Sequence, residues 1–267
     1  MIHIYNEDCM LTMKEHIAEH SVDIVLTSPP YNTSRVIHNE RAMNNLECRY
    51  GMYDDNKTNE EYCAWTVDLF NHYDRVLKQN GVVLYNISYG NENPTVMFEC
   101  ISEVCNKTNF MIADTVVWKK KSALPNNVSP NKLTRICEFV FVFCRKDEFL
   151  TFKTNKQLKS ESITGQNFYR PIFNYIEADN NDGANELNKA TFSTDMVSKL
   201  LDMYAYNVNN VVYDSFMGTG TTAVACKMHG YSCIGSELDP KQVEYANRRL
   251  GETDYIQSDT INNNELW

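Results

Sequence analysis

The sequence predicts an α/β fold in which helices cover both faces of a parallel sheet. Apolar runs of strand length alternate with segments of helical spacing, most regularly in the last third of the chain. The 267 residues, 43% of them hydrophobic, suffice for one large α/β domain that carries a small insertion. Because helical crossovers join parallel strands, ligands are expected at the carboxyl ends of those strands.

Two strands are predicted near the start of the chain. Met1–Tyr5 has the pattern of a strand and lacks the basic start of a signal peptide. Val22–Leu26 is a buried-strand run, and Ser28-Pro29-Pro30 closes it because proline cannot continue the hydrogen-bond ladder of a sheet.

A long amphipathic helix and a third strand follow. Asn59 is the candidate N-cap of the helix, and acidic residues stand in its first turn. Apolar residues recur at helical spacing and place Trp65 and Tyr73 on the buried face, while Gly81 is expected to end the helix. Val82–Ser88 then reads as a buried strand.

The middle of the chain predicts two more strands and a loop-rich insertion. Ile112–Trp118 and Cys137–Arg145 are the strands, separated by the proline- and asparagine-rich loop Leu124–Asn131. Residues 146–185 are polar and aromatic without clear periodicity. The sequence therefore predicts a main domain of residues 1–145 and 186–267 with residues 146–185 inserted.

The last third alternates regularly between helices and strands. Asp239-Pro240 supplies an N-cap and a preset first turn for its final helix. The predicted elements are a helix over 194–206, strand Val211–Tyr213, a helix over 220–229, strand Ser232–Gly235 and a helix over 240–250.

Composition excludes several classes of protein. The net charge of −10 argues against binding nucleic acid over the whole surface, yet residues 118–159 hold ten Lys or Arg and only three acids. Nine cysteines, an odd number with no CxxC pair, indicate reduced cytosolic thiols rather than disulfides or zinc. No apolar run is long enough for a membrane span, and the six histidines show no metal-ligand spacing.

A glycine-containing turn follows the strand Val211–Tyr213. Asp214 is followed by Gly218-Thr219-Gly220, and a helix then begins with threonines, so unpaired backbone N–H groups face a closely approaching ligand. About 20 residues later the next strand ends at Glu237, an acid suited to two ribose hydroxyls. The lysine of a phosphate-binding loop is missing, so the pattern predicts a nucleoside ligand without a pyrophosphate, such as S-adenosylmethionine.

A second turn, Ser28-Pro29-Pro30-Tyr31, follows the strand Val22–Leu26 and suits methylation of an exocyclic amine on a planar base. Such a nitrogen is a poor nucleophile because its lone pair is delocalised into the ring. The Ser28 side chain and the Pro29 carbonyl can accept its hydrogens and free the lone pair, with the prolines fixing that carbonyl in space. Tyr31 offers a face on which an extruded base stacks.

On these two motifs the sequence resembles the S-adenosylmethionine-dependent DNA amino-methyltransferases of bacterial and phage modification systems. The catalytic motif, Ser28 to Tyr31, precedes the cofactor motif, Phe216 to Gly220, as in the β class of that family. The resemblance implies a permuted, Rossmann-like methyltransferase sheet, with the insertion and the basic loop 119–135 as the target-recognition region. It also implies S-adenosylmethionine as cofactor and location in the cytoplasm of a bacterial or phage-infected cell.

The resemblance further implies the roles of individual residues, with no metal in the site. The catalytic residues are expected to be Ser28, Pro29, Pro30 and Tyr31. The cofactor-binding residues are expected to be Asp8, Cys9, Thr27, Asp214, Phe216, Gly218, Gly220, Thr221, Thr222, Glu237 and Leu238, and the segment Phe192–Leu201 is expected to close over the methionine moiety. The DNA-binding residues are expected to be Lys119, Lys120, Lys121, Lys132 and Arg135.

Several alternatives stay open at this stage. Ser28 is typical of cytosine-N4 enzymes of the family, but adenine N6 presents the same chemical feature. Asp259 competes with Asp8 for the adenine of the cofactor, and residues 188–191 depart from the family pattern. Methyltransferases of RNA or of protein glutamine are the alternative function, although those families usually place the cofactor motif first. Double-stranded DNA, a second copy of the chain and a cognate restriction endonuclease are the expected partners.

Overall fold

The computed structural model of the chain describes residues 1–32, 57–90, 93–122, 130–131, 133–183, 187 and 191–253. Helices and strands alternate through most of these ranges. In chain order they are β1 (Ile2–Tyr5), α1 (Cys9–Glu15), β2 (Val22–Thr27), α2 (Asn59–Val76), β3 (Leu77–Ile87), α3 (Val96–Lys107), β4 (Phe110–Lys120), β5 (Cys137–Arg145), β6 (Leu158–Glu161), β7 (Asn167–Tyr169), β8 (Tyr175–Ala178), α4 (Thr194–Tyr204), β9 (Val211–Asp214), α5 (Thr221–His229), β10 (Ser232–Ser236) and α6 (Pro240–Glu252).

Eight of the strands form one sheet in the order β1-β10-β9-β2-β3-β5-β4-β8. Neighbouring strands are parallel except at β5, which is antiparallel to both β3 and β4. The α/β prediction is confirmed, and the parallel arrangement inferred from the alternating strands and helices is interrupted in this sheet only at β5 among the described strands. Parallel neighbours need a crossover connection, usually a helix, and the sequence between β4 and β5 is rich in proline and asparagine instead.

Helices cover both faces of the sheet, as predicted. On one face α1, α2 and α3 pack through a cluster that includes Met13, Phe70 and Met97. On the other face α4 and α5 pack through a cluster that includes Leu200 and Ala225. None of the helices in the described part of the chain has the length and apolar character needed to cross a bilayer.

The predicted insertion contributes to two sheets. Strands β6 and β7 form a separate antiparallel hairpin, and every residue in them is exposed. Strand β8 instead pairs in parallel with β4 and becomes the edge of the main sheet. This pairing ties part of the insertion to the main sheet. The domain boundaries at 145 and 186 remain a prediction.

Helix α2 differs from its prediction at both ends. Thr58, not Asn59, is the N-cap: its side chain accepts from the Glu61 backbone N–H while the Glu61 side chain accepts from the Thr58 N–H, a reciprocal capping box. The helix ends at Val76, and Gly81 lies inside β3. A register shift between β2 and β3 occurs there, and a Cβ on Gly81 would stand 3.1 Å from the Asp23 carbonyl.

Candidate functional site

A pocket opens at the carboxyl ends of four neighbouring parallel strands, β1, β10, β9 and β2. This is where the sequence analysis placed a ligand, because the turns after these strands meet at one edge of the sheet. The residues that line the pocket are Glu7, Asp8, Cys9, Ser28, Pro30, Trp65, Thr191, Phe192, Ser215, Phe216, Met217, Gly218, Thr219, Thr221, Ser236, Glu237, Leu238, Asp239 and Gln242.

The pocket brings together members of both sequence motifs, which are about 190 residues apart in the chain. The predicted site residues in its lining are Asp8, Cys9, Ser28, Pro30, Phe216, Gly218, Thr221, Glu237 and Leu238. Phe192, the first residue of the segment expected to close over the methionine moiety, lines it as well, and so does the preceding Thr191. Asp259 and residues 188–190 lie outside the described residues.

The charge of the lining is one-sided. Four acidic residues, Glu7, Asp8, Glu237 and Asp239, line the pocket, and none of the described lining residues is Lys, Arg or His; the Glu7 carboxylate lies 3.3 Å from the Nε2 of His16, which is outside the lining. A phosphate-bearing nucleotide would be repelled here, whereas a nucleoside that carries positive charge would be attracted. The electrostatics therefore agree with the absence of a phosphate-binding lysine in the sequence.

Asp214 lies behind the wall of the pocket instead of facing into it, with only 1% of its surface exposed. Its carboxylate accepts hydrogen bonds from the Thr27 hydroxyl at 2.7 Å, the Thr222 hydroxyl at 2.6 Å and the Phe216 backbone N–H at 3.0 Å. Burial raises the pKa of Asp214 above its ordinary value, against these hydrogen bonds. The carboxylate thus joins the end of β2, which leads into the catalytic motif, to the glycine-containing turn.

Gly220 is also a buried residue behind the pocket. It adopts φ = 85°, a conformation that favours glycine, and serves as the N-cap of α5. A Cβ at this position would stand 2.6 Å from the Cβ of Ala246 on α6. The second glycine of the motif is therefore required by the close packing of two helices, whereas Gly218 contributes to the lining itself.

Glu237 borders the pocket at the end of β10. Its two carboxylate oxygens accept from the backbone N–H groups of Gly218 at 2.8 Å and Asp239 at 2.8 Å, so the side chain is fixed in position. Desolvation raises the pKa of this carboxyl above its ordinary value. Each carboxylate oxygen has a further lone pair, which leaves capacity to accept from ligand hydroxyls.

Asp8 also has a structural role, which was not predicted from the sequence. It is the N-cap of α1, where its Oδ1 accepts from the Met10 N–H at 2.9 Å and the Leu11 N–H at 3.4 Å. Asp8 also lines the pocket, and both bonds use the same carboxylate oxygen. The cap therefore orients the carboxylate and leaves Oδ2 to meet a ligand.

The catalytic motif is held by hydrogen bonds to its last two residues. The Tyr62 hydroxyl donates to the Pro30 carbonyl at 2.7 Å, and the Tyr31 hydroxyl lies 3.1 Å from the Ser28 Oγ. Asn86 and Glu138 each place a side-chain oxygen 3.1 Å from the same tyrosine hydroxyl. Ser28 faces the pocket, while Thr27 is fully buried and bonded to Asp214.

Three of the four predicted DNA-binding lysines, Lys119 to Lys121, are engaged in ion pairs. Their partners stand on β8, β5 and α4: Lys119 pairs with Glu177 at 3.0 Å, Lys120 with Glu138 at 2.5 Å, and Lys121 with Asp195 at 3.1 Å. The basic window of the sequence is thus less positive in space than along the chain.

The remaining basic residues of this window are spread over the molecule. Arg135 donates to the Tyr89 carbonyl and lies over the Tyr89 ring. Arg145 is at the opposite end of the sheet, where it pairs with Asp74. Lys132 lies outside the described residues.

Several residues of the site, including Glu7, Asp239 and Gln242 in the pocket lining, were not predicted from the sequence. Trp65, predicted as core, is only partly buried, lines the pocket and lies 5.7 Å from the Phe216 ring centroid. Asn86 and Glu138 approach the catalytic motif from the ends of β3 and β5. Helical spacing does not distinguish a core face from a pocket wall, and an isolated Asn or Glu gave no motif to detect.

Comparison with known proteins gives consistent matches. The family model N6_N4_Mtase, described as DNA methylase, matches residues 22–248. Type II methyltransferase M.MthZI of Methanothermobacter thermautotrophicus is 24% identical over 270 residues, which cover 92% of this chain and 76% of that protein. Type II methyltransferase M.HinfI of Haemophilus influenzae is 24% identical over 260 residues, covering 93% and 68% of the two chains.

Solved structures share the fold. The cytosine-N4-specific PvuII DNA methyltransferase superposes with a TM-score of 0.69 at 17% identity, over 93% of this chain and 86% of that one. M1.HpyAVI superposes with a TM-score of 0.60 at 19% identity, over 94% and 98% of the two chains. The mixed sheet with helices on both faces is therefore the fold of these methyltransferases.

Proposed function

The chain belongs to the N6/N4 family of DNA methylases, and we propose that it transfers a methyl group from S-adenosylmethionine to an exocyclic amino group of a base in DNA. The observation that carries this proposal is the pocket edge at which Ser28 meets the carboxylate-lined cofactor region. The bound cofactor supplies an electrophilic methyl group, and its positive charge suits the four carboxylates of the lining.

Residues of this chain fit the parts of that cofactor. Glu237, fixed by two backbone N–H groups, would accept from the ribose hydroxyls. Asp8 would meet the adenine amino group, and Gly218 and Phe216 would border the methionine side together with Phe192. Glu237 and Asp8 are already held in place by contacts within the protein, so little ordering of these carboxylates is needed on binding.

The substrate amine would be activated by acceptors alone. The Ser28 hydroxyl and the Pro29 carbonyl would accept its two hydrogens and draw the nitrogen lone pair out of the ring. The hydrogen bond from Tyr62 to the Pro30 carbonyl and the two proline rings hold this segment rigid. Tyr31 would present its ring to the extruded base.

Within this proposal Ser28 favours cytosine N4 as the target, with adenine N6 as the alternative. The insertion, including the exposed hairpin of β6 and β7, would contact the duplex together with Arg135. Because the insertion is small for one subunit to grip a duplex, we extend the proposal to a homodimer, which light scattering of the purified protein would test. A cognate restriction endonuclease remains a proposed partner.

The first experiment is incubation with S-adenosylmethionine labelled in its methyl group and unmethylated duplex DNA, followed by digestion to nucleosides and mass spectrometry. N4-methylcytosine would support the interpretation of Ser28, and N6-methyladenine would retain the reaction but reverse the choice of base. Label in RNA or protein, with none in DNA, would refute the proposed substrate.

Two variants connect the product to the site. Ser28→Ala and Tyr31→Ala should suppress methyl transfer, because each removes a group proposed to contact the base, while cofactor affinity measured by calorimetry stays nearly unchanged. Full turnover by Tyr31→Ala would contradict the stacking role. Lys107→Ala, on α3 and outside both the pocket lining and the insertion, is the control variant and should keep wild-type turnover.

A further inference from the structure

Five side chains from three strands and one turn form a hydrogen-bond network at the catalytic motif. The Tyr31 hydroxyl is its centre, 3.1 Å from each of the Ser28 Oγ, the Asn86 Oδ1 and the Glu138 Oε2. At the far end Lys120 donates to the Glu138 Oε1 at 2.5 Å. Asn86 is buried, and the side chains of Lys120 and Glu138 are 26% and 16% exposed.

The direction of each hydrogen bond in this network follows from the chemistry of the groups. The Asn86 Nδ2 donates to the Phe139 carbonyl at 3.1 Å, so its amide oxygen faces the tyrosine as an acceptor. The Glu138 carboxylate is an acceptor as well. Two acceptors therefore face the Tyr31 hydroxyl, which has one proton to donate.

Donating that proton to Asn86 or Glu138 leaves one acceptor oxygen facing the tyrosine oxygen without a hydrogen between them, whereas donating it to Ser28 would leave two, so the first arrangement is favoured. At the remaining contact the tyrosine oxygen can only accept, so the Ser28 hydroxyl must donate its proton to it. The proton of the Ser28 hydroxyl is then used in the hydrogen bond to Tyr31, and the Ser28 oxygen can only accept hydrogen bonds from a ligand in the pocket.

From this we propose that Glu138 and Asn86, acting through Tyr31, fix Ser28 as an obligate hydrogen-bond acceptor and so restrict the site to bases with an amino group. A base with a carbonyl at the same position would place its oxygen against the serine lone pairs. Glu138 is thus a positioning and specificity-determining residue, and Lys120 serves by holding Glu138 instead of a DNA phosphate. The inference rests on the proposed function.

The test uses Glu138→Gln in the full chain. Glutamine is nearly isosteric, but its amide nitrogen can donate to the Tyr31 oxygen, which lets the tyrosine donate to Ser28 and the serine donate to a ligand. Duplexes contain either the target base or its carbonyl analogue, uracil for cytosine or hypoxanthine for adenine. The readouts are the ratio of the two dissociation constants, kcat, and the affinity for S-adenosylmethionine.

The wild-type protein should bind the amino duplex more tightly than the carbonyl duplex. Glu138→Gln should reduce the ratio of the carbonyl-duplex dissociation constant to the amino-duplex dissociation constant by about tenfold, and it should reduce kcat by about tenfold. The cost of opening the base pair is common to both proteins and cancels in the comparison. Cofactor affinity should change less than about twofold, because Glu138 does not line the cofactor pocket. A merely structural role would not alter the ratio of amino to carbonyl binding.

Two further variants serve as a second test and as a control. Tyr31→Phe removes the central hydroxyl and should lower the same ratio, which tests the network if Glu138→Gln does not fold. Glu103→Gln, an equivalent change in the ion pair with Lys107 on α3, should leave the ratio and kcat at wild-type values. An unchanged ratio in both Glu138→Gln and Tyr31→Phe would overturn the inference, whereas a wild-type protein that methylates no DNA would instead refute the proposed function.

Discussion

Replacing Asp214 with alanine should loosen the turn that connects β9 to α5. The carboxylate is 1% exposed and accepts three hydrogen bonds, from the hydroxyls of Thr27 and Thr222 and from the backbone N–H of Phe216. Alanine leaves all three donors without this acceptor. The two hydroxyls can rotate toward other oxygens, but the backbone N–H of Phe216 cannot.

The magnitude follows from these three bonds. A buried donor that loses its acceptor costs ~1–3 kcal/mol, so the set costs ~3–5 kcal/mol after the hydroxyls rotate. Removal of a buried carboxyl offsets ~1 kcal/mol of this loss. The free energy of unfolding should therefore fall by ~2–4 kcal/mol, which for a chain of this size lowers Tm by roughly 4–8 °C.

Asp214→Asn is the matched variant, because its amide oxygen can still accept from Thr27 and Phe216 and the Thr222 hydroxyl can turn to accept from the amide nitrogen. We expect it to lose less than ~1.5 kcal/mol in urea unfolding. Equal stability of the alanine variant and the wild type, or an asparagine variant as unstable as the alanine variant, would refute the assigned role.

The pH dependence gives a second check on the same residue. Burial raises the pKa of Asp214 above its ordinary value of 3.8. As the pH rises above 3.8 the unfolded chain ionises this carboxyl first, so the wild type loses stability until the folded-state pKa is passed. Asp214→Asn does not titrate and should gain stability relative to the wild type over that range; a constant difference from about pH 4 to about pH 7 would contradict the raised pKa.

Three other substitutions test separate features. Gly220→Ala would bring a Cβ to 2.6 Å from the Ala246 Cβ at φ = 85° and should lower the free energy of unfolding by ~2–4 kcal/mol in urea titration. Glu237→Gln should raise the dissociation constant for S-adenosylmethionine by about tenfold in calorimetry, because a charged acceptor for the ribose is lost; unchanged affinity would remove Glu237 from the cofactor site. Thr58→Ala should cost ~1 kcal/mol by loss of the capping box, with cofactor affinity unaffected.

The sequence by itself determined where the site lies. Each motif follows a predicted buried strand, and the carboxyl ends of parallel strands meet at one edge of a sheet, so strand order and spacing suffice to place Ser28 and Phe216 together. The order of the two motifs, catalytic before cofactor, is the order found in the β class of the methylase family. The helix and strand boundaries of the last third were likewise readable, because Asp239-Pro240 and the glycine turn are strong local signals.

Only the tertiary structure decided which of these residues face the ligand. Asp214 and Gly220 were predicted to bind the cofactor but are buried behind the pocket, since burial depends on what packs over a turn and not on the turn itself. Lys119 to Lys121 form a basic run in the sequence, yet their acidic partners arrive from distant elements. Glu138 meets Tyr31 only because an antiparallel strand returns beside β3. Such contacts between residues far apart in the chain leave no periodic pattern in the sequence, and folding alone brings them together.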